Sequence, residues 1–533
     1  VNPAPVDGLY EQALAALGAM GLPAAKPPRA SAAVVLWRPA ARGCEVYWVR
    51  RAETLAFMGG WHAFPGGGLG REDAAVPVGG RARRTASGER SALPTAFWDL
   101  QGEPPPDLVP GLEVCALREL YEETGILLAL PPVEPQRRAA ARRRLLAGEV
   151  AFDALRRELG ATLDAARLLF AGRWLTPPFA PLRFDNRFFL AEWRPEDGAP
   201  EVILGELAEG EWIEPRVALE RWRRGAALAA PPILHILEVL AEDGPERGLP
   251  RLVAPEEADL GPFRRIEFRP GVLLFPLRTP TLPPASYTNA FLLGHGEALL
   301  VDPGSPDTGE IARLLDGLAA ARRRLGRRVV EIWLTHEHPD HVGGVEAARR
   351  ALRVPVRAHP AAAERLRERG LAIDGELHEG EVRRLSGDPE AVVRVLHTPG
   401  HARGHLCFFE EVTGSLLAGD MVAGVGTIVV DPPAGDMDDY LASLERLRDL
   451  GPRTLFPAHG PASKDGSRRL QEYLDHRLWR EELILAAWRS GRREPEAMLA
   501  TVYDDAPPEA RPLAARQIVA HLERLARHGR LPE

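Results

Sequence analysis

The sequence predicts a multidomain chain of α/β and α+β character, on three observations. The chain has 533 residues, which sets a prior of three or four domains. A strand-rich stretch followed by helical patterns fills the first half. From about Phe263 strands alternate with helices, as in an α/β layered domain.

Residues 1–30 read as a leader with one short helix, Tyr10–Met20. Apolar alternation then predicts strands at Ala32–Arg38 and Cys44–Arg50. A stretch rich in Gly, Pro, Ser and Arg marks an insertion at 74–112. Helical periodicity returns at Leu112–Glu123, Arg137–Leu146 and Ala151–Leu159, with strands at Leu168–Leu175 and Phe184–Trp193. Helices at about Pro215–Arg224 and Pro232–Ala241 close a domain spanning 31–245. Residues 246–262, with their prolines, glycines and Glu256-Glu257, read as a linker. The next domain, 263–468, has strands at Val272–Leu277, Thr288–Leu293, Ala298–Val301 and Val329–Thr335, and a helix at Thr308–Leu325. Residues 469–533 read as a small helical unit.

Composition narrows the classes. Hydrophobic residues make up 45% and charged residues 27%, values that supply a core for each domain. The net charge of −8 gives no global reason to expect nucleic-acid binding. Only Lys26 and Lys464 are lysines, so a Gly-Lys-Ser/Thr phosphate loop is absent and a lysine nucleophile is disfavoured. Cys44, Cys115 and Cys407 are far apart and form no CxxC pair, which fits a reducing cytoplasm. No basic n-region precedes Ala13–Met20, and no run of about 18 apolar residues predicts a membrane span.

Nine of the 15 histidines fall between His336 and His459. Imidazole is a common metal ligand, and the placement here is orderly. An apolar strand ends at Thr335, and His336-Glu337-His338-Pro339-Asp340-His341 follows at once. Pro339 stops the strand from continuing. Val392–Leu396 leads into a turn carrying His401, Ser415–Ala418 into Asp420, and Thr454–Phe456 into His459. Four turns that each deliver ligands at a strand end have no obvious structural purpose, and α/β folds place their sites at such ends.

These residues, with Val301-Asp302-Pro303-Gly304, Thr398-Pro399-Gly400-His401 and His459-Gly460, resemble the metallo-β-lactamase superfamily over about 263–468. The resemblance implies a four-layer αβ/βα sandwich with two metal ions, zinc or else manganese or iron. Carried over by motif, His336, His338 and His401 would bind one ion. Asp340, His341 and His459 would bind the other, and Asp420 would bridge them, with Asp340 also a catalytic residue. Two such ions about 3.5–4 Å apart lower the pKa of a bound water from about 16 to about 7. The resulting nucleophile can attack a carbonyl or a phosphorus, so the ligands alone do not name the bond that breaks.

A second group lies upstream. Glu119, Glu122 and Glu123 fall at i, i+3 and i+4 on one helical face, with Gly125 placed to end the helix. Alone, such a face is an ordinary solvated one. Close carboxylates repel unless a cation lies among them, and an all-oxygen set favours magnesium or manganese. The run Arg118–Ile126 resembles the second half of a Nudix box, and Phe64-Pro65-Gly66-Gly67 resembles its opening. Five residues separate Gly67 from Asp73, an Asp where Glu is usual. Residues 74–117 then stand where the usual box has about seven, so the box is split.

A split box, with Trp174–Pro177 and Arg183–Phe189, is similar to the coenzyme A diphosphatase subgroup of Nudix enzymes. The resemblance covers about 30–245 and implies an α/β/α sandwich that hydrolyses a nucleoside diphosphate-linked substrate. Glu119, Glu122 and Glu123 would hold magnesium or manganese, with Glu122 and Glu123 also catalytic. Arg118 would act by pairing with carboxylates. Arg51, Gly66 and Gly67 fit an upstream CoA-type signature and would bind substrate, while Ala56 stands where that signature has a second arginine.

The tail (His476–Glu482, Pro495–Val502, Leu513–Arg527) resembles the winged helix that follows the lactamase domain in the lactamase-β-like-2 group. Thr288–Phe291 and Tyr440–Leu444 support the same group. The implied function is a bifunctional hydrolase with CoA or acyl-CoA favoured as substrate. The alternative is an endoribonuclease acting on single-stranded RNA, with an accessory Nudix domain. The expected partners are small molecules rather than nucleic acid or membrane; an oligomer is compatible with the sequence.

Overall fold

The computed structural model of the chain describes residues 27–55, 58–80, 108–177, 179–180, 182–424, 426–504, 506 and 510–532, with no side-chain detail at 108–109. The expected leader helix, Ala56 and most of the expected insertion lie outside these residues. Two units make up the described chain, 27–268 and 269–532.

The first unit is built on β1 (Arg29–Ala40), β2 (Gly43–Arg51), β3 (His62–Ala63), β4 (Gly66–Gly68), β5 (Val78–Gly79), β6 (Ala129–Leu130), β7 (Thr162–Asp164), β8 (Leu169–Leu175), β9 (Phe184–Glu192) and β10 (Leu207–Ile213). The main sheet runs β10-β2-β1-β9-β8, with β3 on β2 and β4 on β1. Central β1 pairs antiparallel with β2 and parallel with β9. Its residues 32–36 are apolar without alternation, because both faces are covered. Ala32, Val34 and Leu36 join one core with Val114, Leu117, Leu120 and Tyr121 of α1 (Leu108–Thr124). Ala33 and Val35 join another with residues of the later helices. This is the expected α/β/α sandwich.

The helices of this unit after α1 are α2 (Pro135–Leu146), α3 (Phe152–Leu159), α4 (Pro215–Arg223), α5 (Pro231–Arg247) and α6 (Leu249–Val253). The stretch 246–262 is not a linker. α6 buries Leu249, Leu252 and Val253 in the second core, and burying one such side chain contributes about 1.5–3 kcal/mol. The hairpin β11 (Asp259–Leu260) and β12 (Phe263–Arg264) follows, tied by an Arg264–Asp259 ion pair at 2.7 Å. The first unit therefore ends at Phe268, past the expected boundary. The stretch expected to be an insertion carries regular structure at both edges. Asp73–Ala75 form a 3-10 turn, β5 pairs with β7, and α1 is already helical at Leu108.

The second unit holds two six-stranded sheets. The first comprises β13 (Val272–Arg278), β14 (Tyr287–Leu293), β15 (Glu297–Val301), β16 (Arg328–Trp333), β17 (Val356–Ala358) and β18 (Gly375–Glu376). The second comprises β19 (Val382–Leu385), β20 (Ala391–His397), β21 (Leu406–Glu410), β22 (Ser415–Gly419), β23 (Thr454–Pro457) and β24 (Ser463–Lys464). Their inner faces meet through Phe291 against Phe456 and Trp333 against Phe408, with ring centroids 6.0 and 5.1 Å apart. Helices α7 (Thr308–Leu325), α9 (Val345–Leu352) and α10 (Pro360–Glu368) cover the first sheet, and α8 (Pro339–Val342) is one short turn at its edge. Helix α11 (Met437–Asp449) and the start of α12 (Gly466–Arg489) cover the second. The expected four layers are present.

The tail does not begin as a separate body at 469, which lies within the first turns of α12. Leu470, Tyr473 and Leu474 of that helix are buried in the core of the second sheet. Further along, α12, α13 (Pro495–Val502) and α14 (Arg511–Arg527) enclose their own small core around Ile484, Met498 and Ile518. No strand occurs among the described residues of 469–532.

Two candidate metal centres

In the second unit all seven expected ligands converge. His336 to His341 follow β16 directly, His401 follows β20, Asp420 follows β22, and His459 follows β23. The Nε2 atoms of His336 and His401 lie 2.8 and 2.9 Å from Nδ1 of His338. A single Nδ1 cannot bond well to both, so the three rings point at a shared position. Asp340, His341 and His459 form a second cluster, and Asp420 joins His336 and His341 in a third. Oδ1 of Asp420 lies 3.5 Å from His341 and 3.3 Å from His459, while Oδ2 lies 3.5 Å from His401. One carboxylate thus faces both groups.

The ligands are held from behind. Asp302, at the end of β15, accepts from the Thr335 amide (2.8 Å), the Thr335 hydroxyl (2.6 Å) and Nδ1 of His341 (2.8 Å). That fixes the His341 tautomer and turns Nε2 inward. Nδ1 of His401 donates to the Val429 carbonyl at 2.6 Å, and Nδ1 of His459 to the Tyr287 carbonyl at 3.0 Å. His405 accepts from the Asp420 amide at 3.0 Å, and its other nitrogen meets Thr398 at 2.8 Å. The Asn289 amide donates to Pro457 and Gly460 carbonyls on either side of His459. Asp302 lies inside the Val301–Gly304 motif, but its holding role, and those of Thr335, His405, Asn289 and Val429, are not predicted from the sequence. The spacing of His405, four residues after His401, was the available signal.

Electrostatics follow from burial. Burial, then the neighbouring imidazoles, holds His336 and His338 well below the usual histidine range. Burial opposes charge on His341 as well, but Asp340, Asp420 and Asp302 outweigh it and raise its pKa. Both Oδ atoms of Asp340, Nε2 of His341 and Oδ1 of Asp420 are buried and make no hydrogen bond. Leaving buried polar atoms unpaired costs several kcal/mol in sum, on the order of 1–3 each. A divalent cation would satisfy them, so the donor set fits the metals that the fold implies.

In the first unit Arg118 is a hub. It grips Asp73 with Nε and Nη2, both at 2.9 Å, and reaches Glu119 at 2.8 Å and Glu122 at 3.0 Å. Its Nη2 also donates to the Gly68 carbonyl at 3.1 Å. The split box therefore closes, with Asp73 brought to α1. Glu123 accepts from the Gly66 amide at 2.9 Å. A Cβ on Gly67 would lie 2.5 Å from the Glu119 carboxylate, so only glycine leaves that carboxylate in place. Burial pushes Glu119 up to about 7 and Glu123 to about 8, with neighbouring carboxylates adding to it. Burial also raises Glu122. Arg51 is close enough for its charge to hold Glu123 down in part. The three glutamates are not among the clusters of described residues whose donor atoms all lie within 4.8 Å. Glu119 and Glu122 are arranged around Arg118 instead, and Glu123 is held by the Gly66 amide.

Comparison with known proteins follows this division. The metallo-beta-lactamase superfamily matches residues 283–459. The NUDT19 Nudix domain matches 13–240, and the beta-lactamase associated winged helix domain matches 495–532. The beta-lactamase-like protein 2 homolog of Drosophila melanogaster is 33% identical over 255 residues, 46% of this chain and 84% of that protein. An atrochrysone carboxyl ACP thioesterase of Aspergillus fumigatus is 30% identical over 214 residues, 39% of this chain and 61% of that protein. A Nudix hydrolase structure from Alicyclobacillus acidocaldarius is 31% identical, covering 41% of this chain and 94% of its own, with a TM-score of 0.34.

Fold and family together define a hydrolase. The chain belongs to the metallo-β-lactamase superfamily, with the beta-lactamase-like protein 2 homologs, and joins to that domain a NUDT19-type Nudix domain and the associated winged helix. Membership implies divalent metal binding. Among the described residues no helix is long and apolar enough to cross a membrane.

Proposed function

We propose that the chain is a metal-dependent bifunctional hydrolase. The Nudix unit would cleave a nucleoside diphosphate-linked substrate, CoA or acyl-CoA being favoured. The lactamase-type unit would cleave a thioester or ester. One observation carries this reading: each half has its own complete set of acid and ligand residues, Asp73-Arg118-Glu119-Glu122-Glu123 in one and the seven-residue cluster in the other. The thioesterase named among the relatives supports the choice of bond for the second unit.

In this reading His336, His338 and His401 would hold one ion and Asp340, His341 and His459 the other, with Asp420 between; zinc suits that nitrogen-rich set. Glu119, Glu122 and Glu123 would hold magnesium or manganese, which suit oxygen donors. When bound, the ions supply an acidified water and neutralise the oxygen on which charge gathers. The residues do the remainder. Asp302 and the Val429 and Tyr287 carbonyls hold three imidazole tautomers. Asp340, whose two oxygens make no hydrogen bond, is placed to take a proton. Arg118 sets the rotamers of Glu119 and Glu122 while holding Asp73, and Glu122 and Glu123 are the bases of that site. Gly66 and Gly67 let the backbone approach the carboxylates, with Arg51 beside them for substrate phosphate. A cytoplasmic location suits the three buried free thiols.

The test is an incubation of the full chain with an acyl-CoA and both classes of metal, with products identified by mass. Free acid and 3′,5′-ADP are expected. Asp340→Ala should remove only the acid and Glu122→Gln only the 3′,5′-ADP. Absence of both products from the wild type would overturn the reading. Cleavage of single-stranded RNA, abolished by Asp340→Ala with acyl-CoA left intact, would replace it.

A further inference from the structure

The segment between β22 and α11 has no regular structure at 427–431, yet it carries the carbonyl that aims a ligand. Val429 O accepts from Nδ1 of His401 at 2.6 Å. An irregular strip of backbone does not hold itself to such a distance. The Gly435 amide donates to Asp431 O at 2.7 Å, and the Asp436 amide ties the next turn to Gly400 O at 2.8 Å. The Ile428 and Val430 side chains are buried in the core of the second sheet, and further hydrogen bonds to the strip come from the tail.

Arg477 of α12, 2% exposed, donates through Nη2 to Ile428 O at 2.5 Å. Its other terminal nitrogen holds Gln517 of α14 at 3.0 Å, and Gln517 reaches the same carbonyl at 3.5 Å. The Arg477 guanidinium also lies over the Tyr440 ring at 5.2 Å, and the Tyr440 hydroxyl donates to Met421 O, next to Asp420. Arg516 of α14 pairs with Asp431 at 2.5 Å and donates to Pro432 O. Two tail helices thus clasp both ends of the five-residue strip Ile428–Pro432, and its second residue, Val429, fixes the tautomer of His401. Arginine suits this task because its planar fork serves two acceptors at once.

We infer that Arg477, Arg516 and Gln517 are positioning residues for the metal centre: they hold Ile428–Pro432 so that Val429 O keeps the His401 ring turned with Nε2 toward His336 and His338. The tail then completes the site of the domain before it, independently of any contact with nucleic acid. The inference rests on the reading of His401 as a metal ligand. Loss of a partner that orients a ligand costs about 10–100-fold in metal affinity.

The test uses the full chain, stripped of metal and titrated with cobalt(II). Visible absorption is strong at low-coordinate imidazole sites and weak at an octahedral all-oxygen site, so the Nudix centre stays nearly silent. The wild type should take up two absorbing ions. Arg516→Ala and Gln517→Ala should each weaken one of them, about 10-fold or more for Arg516→Ala, and alter its band. The other ion should stay within about threefold and the melting temperature within a few degrees. Arg516→Lys, which keeps the charge without the fork, should fall between. Unchanged affinities in both alanine variants would overturn the inference. So would a loss of both ions in step with melting, which would mark the residues as merely structural. A wild type that takes up no absorbing ion would overturn the metal reading itself, a result distinct from the other two.

Discussion

Arg118 and Asp73 meet through two parallel hydrogen bonds of 2.9 Å although they stand 45 positions apart in sequence. The same guanidinium contacts Glu119 and Glu122, so the pair both closes the split box and orients its carboxylates. Replacing Arg118 by Lys keeps one charge and loses the fork. Diphosphate hydrolysis should fall by about 10–100-fold, as when an orienting partner of a metal ligand is lost. Hydrolysis dependent on Asp340 should not change. Separate product assays on one preparation measure both.

Gly67→Ala should separate activity from stability. The added Cβ would meet the mobile end of Glu119 at 2.5 Å. A flexible carboxylate can swing aside at small cost, so melting should shift by only a few degrees. A displaced Glu119 no longer lies where the Nudix centre needs it, and diphosphate hydrolysis should be lost. A variant that keeps full activity would show that Glu119 is dispensable.

Asp302→Asn should weaken the second centre. Asp302 receives three donors, and its φ of 50° is one that Asn tolerates. The amide NH2 would face at least one donor, leaving a buried group unpaired at about 1–3 kcal/mol. Metal uptake should drop about 10–100-fold while the Nudix reaction continues. Equilibrium dialysis against zinc reads the first effect.

A pH effect should arise at His359, which caps α10 by accepting from the Ala361 amide at 3.2 Å. Its ring stacks on His397 at 4.1 Å. Burial, then the charges of His397 and His378, hold its pKa down to about 4, with Glu376 opposing. The unfolded chain titrates near about 6.5. Between those values the unfolded state binds more protons, so stability is complete above about 6.5 and declines as pH falls toward about 4. His359→Asn keeps a capping acceptor and removes the titration. The wild type should lose denaturation midpoint between pH 7.5 and 5 relative to that variant, by a modest amount because the ring is only half-buried.

Elements with marked ends were legible. Helix α7 was read at its observed bounds because Asp307 caps it, accepting from the Glu310 amide at 2.9 Å, and Gly326 closes it with φ 69°. The centre of β1 was legible because an unbroken apolar run needs two covered faces. Strand β10 escaped because Glu209, Gly210 and Glu211 interrupt its pattern. Glu209 is met by Arg50 of β2, and Glu211 by Trp48 of β2 as well as by nearby Arg221; the β2 partners lie some 160 positions away, beyond any local window. The reading of 246–262 as a linker failed for a related reason: its prolines and glycines punctuate short turns, while Leu249, Leu252 and Val253 between them are core residues.

The same contrast runs through the site. All seven candidate ligands could be picked out from the sequence, since each is a distinctive side chain set just after a strand. Their grouping into His336-His338-His401 and Asp340-His341-His459 is also how the atoms cluster. The supports were less legible because several are main-chain carbonyls. Val429 O and Tyr287 O act through backbone that any residue type would supply. In the Nudix half, Arg118 was read as a holder of carboxylates, and the distances to Asp73, Glu119 and Glu122 agree.

The ligands of the second unit do not all come from one sheet. His336, His338, Asp340 and His341 stand at the edge of the first sheet, and His401, Asp420 and His459 at the edge of the second. Ions held there would act as rivets between the two faces of the sandwich. Binding to the folded state alone adds about 2.7 kcal/mol when free metal is 100 times its dissociation constant. Depletion would then strip away cohesion along with turnover, so the abundance of this chain should track the metal supply of the compartment that holds it.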